Sequence, residues 1–167
     1  MISKTNYTSN LIESIFNKIK TVLGSTYTSP AGETINLTFL GAYPRDIEAY
    51  KSNLPLIILD RNYKYRPVQA EQGGRTKYTD NFYVYVIAGG FSDENTNEFM
   101  KNELMDKLLF GFDRSTFDFI NYDTNSVEGI YNTDAQEVLR MQPSIYSVFE
   151  AHKSQILLTV TSVLKNG

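Results

Sequence analysis

No cysteine occurs anywhere in the chain. That excludes disulfides, thiolate zinc sites and cysteine nucleophiles together. Histidine is nearly as scarce, since His152 is the only one. A catalytic Ser-His-Asp triad would have to use it, and no G-x-S-x-G elbow accompanies it. A surface or structural role suits it better. Long apolar runs are missing too. No segment approaches the roughly eighteen unbroken apolar residues that a membrane span requires. The first twenty residues, MISKTNYTSNLIESIFNKIK, are interrupted by Glu13, Asn17 and Lys18. They are not expected to act as a signal peptide.

What is present is ordinary globular material. Hydrophobic residues make up 41% and charged residues 21% of 167, which predicts one folded domain over 1–167. The net charge of −3 argues against nonspecific duplex binding, which depends on phosphate neutralisation.

LIESIFNKIKTVL, residues 11–23, places seven apolar residues on one helical face. Asn10 is the expected N-cap, Glu13 the matching capping-box residue, and Gly24 the stop. TINLTFL, residues 34–40, alternates as one half-buried strand. A polar connection with a short helical turn after Pro44 follows. LPLIILD, residues 54–60, reads as a strand covered on both faces. KYTDNFYVYVIAGG ends in an aromatic and β-branched strand. Residues 91–112 form the second helix, with Ser92 as N-cap and Gly111 closing it. STFDFINYD and SVEGIYN read as strands around Thr124–Asn125, and residues 133–146 fit either state. Ser154–Leu164 form the last strand. Helix, strands, helix, strands is an α+β order: a mixed or antiparallel sheet packed with an N-terminal helix and a second, central helix.

EQGGRT, Glu71–Thr76, has two glycines that invite a phosphate-loop reading. The spacing does not fit: a Walker loop ends in Gly-Lys-Ser/Thr at a helix start, and here a strand follows. A hairpin arm around 66–80 fits better. Its length exceeds that of a tight hairpin, and long loops usually carry function. Arg61, Lys64, Arg66, Arg75 and Lys77 alternate with Tyr63, Tyr65 and Tyr78. Three roles remain open for it: a solvated edge kept apart by charge, a protein–protein contact, or a single-strand nucleic-acid platform. Metal signals are weak. Asp46, Glu48 and Lys51 miss the spacing of metal-dependent nucleases by one residue. Asp123-Thr124-Asn125 starts like a calcium loop, but Glu128 stands where glycine should, with Gly129 one place late. No catalytic residue, cofactor site or metal site is therefore expected.

The order LIESIFNKIKTVL, NLPLIILD, NFYVYVIAGG, NEFMKNELMDKLL and HKSQILLTVTSVL resembles the tail terminator and tail-completion (neck) proteins of tailed bacteriophages, the minor tail protein U class. The resemblance spans most of the chain, apart from Thr116–Tyr146. It implies a non-enzymatic virion protein forming a ring, usually of six copies, that closes the tail tube and meets the neck. Its partners would be further copies of itself, the tail tube protein and neck or connector proteins. Genomic DNA would pass through the lumen without sequence-specific binding, and no membrane is involved. Assembly would take place in the host cytoplasm. In that frame the arm residues Arg66, Gln72, Gly73, Gly74, Arg75, Lys77 and Tyr78 belong to a subunit interface. The alternatives are a head–tail adaptor or tail tube subunit, a small metal-dependent nuclease, or a nucleic-acid-binding module.

Overall fold

The computed structural model describes residues 6–61, 70–72, 75–140 and 153–165. The first helix, α1, spans Tyr7–Leu23. Tyr7, Leu11, Ile15, Ile19 and Leu23 recur every four residues and are all buried, so one row of the helix enters the core. The helix begins a turn earlier than expected. Asn6 holds the N-cap position, though its side chain does not cap the helix. Asn10 is not a cap: its Nδ2 donates to the Asn6 carbonyl at 2.9 Å and its Oδ1 accepts from the Tyr122 amide at 2.8 Å. Gly24 ends the helix with φ 76° and donates to the Lys20 carbonyl, as its freedom at positive φ allows.

The expected strand over 34–40 is two strands. β1 (Thr26–Thr28) pairs antiparallel with β2 (Thr34–Asn36), and β3 (Thr38–Leu40) pairs parallel with β4 (Leu56–Arg61). Leu37 is the changeover. Its amide donates to Ser25 at 2.9 Å, while the Thr38 amide donates to Pro55 at 3.0 Å. Alternation survives this change of partner, so the sequence carries no mark of it. A short 3-10 helix, Ile47–Asn53, lies in the polar connection.

The remaining strands are β5 (Ala70–Gln72), β6 (Arg75–Ile87), β7 (Ser115–Asn121), β8 (Ser126–Leu139) and β9 (Lys153–Lys165). The main sheet runs β3-β4-β6-β9-β8-β7, antiparallel except for β3 with β4. β9 pairs with β6 along all of it, from Arg75↔Lys165 to Ile87↔Lys153. β4 and β5 therefore share β6's other side, at Phe82–Ile87 and Arg75–Lys77. β8 continues to Leu139, so residues 133–139 of the segment that sequence left open are strand, while 141–146 lie outside the described residues. The β7–β8 turn includes Asn125 at φ 54°, a conformation asparagine tolerates.

The second helix, α2, spans Glu94–Phe112. Its cap is Asp93 and not Ser92: Asp93 Oδ2 accepts from Thr96 Oγ1 at 2.8 Å and Oδ1 from the Asn95 amide at 3.4 Å. A carboxylate there also meets the positive end of the helix dipole. Gly111 does not close the helix but lies within it. A Cβ on Gly111 would stand 2.8 Å from Val22 Cγ1, so the glycine lets the two helices approach.

Both helices cover one face of the sheet. Ile57, Leu59, Phe82, Val84, Ile156 and Leu158 meet Leu11, Ile15, Met100 and Leu104 there. On the opposite face Leu56, Ile58 and Ile87 lie under Tyr43, Ile47, Tyr50 and Leu54. Residues 56–59 are thus buried on both faces, as their unbroken apolar run predicts. The architecture is α+β.

Candidate subunit interface

Gln72 pairs with Arg75, so Gly73-Gly74 is the whole connection between β5 and β6. Two glycines suit a two-residue hairpin. Gly73, Gly74 and Arg66 lie outside the described residues, as do Tyr63, Lys64, Tyr65 and His152. Of Gln72 only the strand pairing is described.

The other three predicted interface residues divide between the faces of β6. Phe82, Val84 and Val86 point to the helices. Counting back by twos places Asp80, Tyr78 and Thr76 on that same face. Tyr78 stacks on Tyr7, ring centroids 4.3 Å apart. Arg75 and Lys77 point the other way and are exposed. Only these two, of the described set, are free to meet a partner.

Asp80 anchors the strand from within. It is 1% exposed. Its Oδ2 accepts from the Tyr7 hydroxyl at 2.8 Å and its Oδ1 from Arg61 Nη2 at 2.7 Å. The Tyr7 hydroxyl oxygen also lies 3.2 Å from Ser162 Oγ, and Arg61 Nη1 donates toward Thr8 Oγ1 at 3.4 Å. A buried carboxylate requires such partners. Burial first, then the Asp80 charge, pushes the Tyr7 phenol far above its ordinary value. The cluster joins the first turn of α1, the end of β4, the middle of β6 and β9. The sequence places Arg61 among the basic residues of the arm and gives no sign of its tie to Asp80, Tyr7 and Ser162. The parity of Asp80 with Phe82 signals only that Asp80 faces inward.

On the outer face, where the hairpin meets the ends of β8 and β9, lies a groove of about 180 Å³. Arg75, Val127, Gly129, Ile130, Val163 and Lys165 line it. Val127 is 53% and Ile130 39% exposed. A Cβ on Gly129 would collide with the Val163 carbonyl oxygen, so glycine there permits the close approach of β8 to β9. Arg75 stands directly opposite Lys165 in the β6–β9 register, and neither forms an ion pair among the described residues. Like charges so placed repel, and the Glu128 carboxylate, which feels the Lys165 charge, offsets part of that repulsion. An apolar floor rimmed by two cations fits an apolar partner group with carboxylates beside it.

Asp46, Glu48 and Lys51 fall on or beside the short 3-10 helix, which buries no side chain. Among the described residues no three His, Asp or Glu side chains stand close enough to hold a metal ion. Asp123 instead accepts from Asn6 Nδ2 at 3.2 Å, and Glu128 from Ser126 at 2.7 Å. No helix among the described residues is long and apolar enough to cross a membrane. No protein-family profile matches the sequence, and no curated protein matches it.

Proposed function

We propose that the protein is a non-enzymatic virion subunit that closes the tail tube of a tailed bacteriophage as a ring and joins it to the neck. DNA passes through the lumen. The observation that carries the reading is the groove at the hairpin end of the sheet. Its apolar floor is exposed at Val127 and Ile130, and it is rimmed by the cations Arg75 and Lys165, which stand opposite each other in the β6–β9 register. An apolar floor with cations at its rim suits a protein partner that brings an apolar group flanked by carboxylates. The α+β order of elements that resembles tail terminators names the partner: further copies of the same chain. The mild net negative charge suits a channel through which DNA must slide without being gripped.

Mass photometry of the purified chain over a wide concentration range tests the reading. Each copy weighs 19.0 kDa, and a closed ring gives one discrete multiple of that mass, six by the family's habit. A continuous ladder of masses, or magnesium-dependent DNA cleavage lost on Asp46→Ala or Glu48→Ala, would favour another function.

A further inference from the structure

We infer that copies of the chain associate head to tail, the Phe110 face of α2 in one copy seating in the groove at the hairpin end of the next. This rests on the ring reading and names its two surfaces.

The outer side of α2 carries an unusual stripe. Phe99, Glu103, Asp106 and Phe110 recur at spacings of four, three and four, which places them on one face of a helix. The opposite side of α2 is the one that enters the core, through Met100, Leu104, Met105 and Leu108. Phe110 is 80% exposed and Phe99 54%. Phe110 is the most exposed large apolar side chain among the described residues. Nothing among the described residues covers this phenyl ring, and burying it would be favourable.

The groove matches this stripe in size and in charge. Its volume of about 180 Å³ is close to the roughly 150 Å³ of an apolar cavity that takes up benzene, so it holds one phenyl ring. Val127, Ile130 and Val163 supply the apolar contacts. Asp106 lies about one turn from Phe110, and Glu103, which also bears on the Tyr27 phenol of its own chain, about two turns. With Phe110 seated, they come beside Arg75 and Lys165, the two cations that face each other across β6 and β9. Asp106 already accepts from Arg140 Nη2 at 2.9 Å yet keeps 53% of its side-chain surface, so it remains open to a second cation. The contact would relieve the cation–cation repulsion and cover the ring together.

The two surfaces lie on opposite sides of the molecule. α2 packs on the helix-covered face of the sheet, whereas Val163 and Lys165 alternate away from Leu164, which belongs to the core. One chain therefore cannot satisfy both of its own surfaces. The contact is heterologous, and a heterologous contact propagates from copy to copy, closing into a ring where the rotation between copies permits.

The absence of cysteine makes the test clean. Phe110→Cys and Ile130→Cys chains are mixed, oxidised mildly with copper-phenanthroline and run on a non-reducing gel. Both positions are exposed, so both variants fold. A disulfide-linked dimer is expected at least about tenfold above the yield from Phe110→Cys mixed with Val138→Cys, a position more exposed than Ile130 but outside the groove. The double variant Phe110→Cys/Ile130→Cys is expected to give a ladder ending at the ring size. Adding Arg75→Glu and Lys165→Glu to the Ile130→Cys chain should reduce the dimer several-fold. If the Phe110–Ile130 mixture gives no more dimer than the Val138 control, the inference is overturned, whether or not rings form. If cross-links form but the ladder shows no closed end, the interface stands and the ring reading falls.

Discussion

Tyr7, in the first turn of α1, donates a 2.8 Å hydrogen bond to Asp80, a carboxylate almost wholly enclosed in the middle of β6. Seventy-three residues separate them. The bond fixes where the helix crosses the sheet, and it holds the inner face of the strand whose outer face carries Arg75 and Lys77. The same carboxylate holds Arg61 at 2.7 Å. The end of β4 is thereby tied to the base of the hairpin.

Two substitutions separate these contributions. Tyr7→Phe removes one donor to a charged acceptor and should cost about 1.5–3 kcal/mol. Asp80→Ala also removes the carboxylate that pairs with Arg61. Because the Arg61 side chain is 15% exposed, water softens the loss, and the cost should lie near the lower end of the ~3–5 kcal/mol range for broken buried pairs. Urea denaturation measures both. A loss below about 0.5 kcal/mol for each, within the range of ordinary surface changes, would show that the cluster does not position the helix.

Gly111 offers a test of helix packing in which two effects oppose each other. Alanine is preferred to glycine inside a helix by up to about 1 kcal/mol. Here a Cβ would stand 2.8 Å from Val22 Cγ1, and overpacking of that kind costs about 1–3 kcal/mol. Gly111→Ala should therefore lower the thermal midpoint. In the Val22→Ala background the same change should raise it. Equal effects in the two backgrounds would contradict the close approach.

Stability should fall at alkaline pH. Burial, and then the Glu103 carboxylate, push the Tyr27 phenol from 10.0 up to about 12. Tyr7 and Tyr131 are raised as well, burial again being the largest cause. In the unfolded chain these phenols lose their protons near 10, so between 10 and 12 the folded state holds more protons than the unfolded. Their contribution is complete below pH 10 and declines as pH rises through the folded values. The urea midpoint should hold steady up to about pH 9.5 and drop steeply above 10. Tyr27→Phe should make the drop shallower. A midpoint insensitive to pH between 9 and 11 would contradict the assignment.

Much of the fold can be read from periodicity, and the failures share a cause. β4, β6 and β9 carry apolar alternation or an unbroken apolar run because helices or a covering loop remove them from water. α1 is marked by its four-residue row. The eventual length of β8 is not marked, since Asn132, Asp134, Gln136, Glu137 and Val138 are all exposed, and an exposed strand places little demand on its side chains. The break at Leu37 leaves no trace because both sheets accept the same alternation. Asn10, Ser92 and Gly111 were read from local rules for helix ends. Asn10 and Gly111 instead serve contacts distant in sequence, with Tyr122 and Val22, and tertiary demands of that kind override local propensity. At Ser92 the competitor was its neighbour, Asp93.

The interface shows the same division. EQGGRT and its basic neighbours mark the hairpin in the sequence. The groove beside it does not, because it combines Arg75 with Val127, Ile130 and Val163 from strands that meet only in the folded sheet. Phe99 and Phe110 were legible as residues of α2. That they face outward follows only once Met100, Leu104 and Leu108 are seen to take the core.

Negative-stain imaging of the purified protein at high concentration addresses the ring most directly. Discrete rings of uniform diameter with a central opening wide enough for duplex DNA are expected, and Phe110→Ser should abolish them while leaving the circular dichroism spectrum unchanged. Filaments, aggregates without an opening, or a single-chain species that binds single-stranded DNA with steep salt dependence would contradict a ring that closes a phage tail.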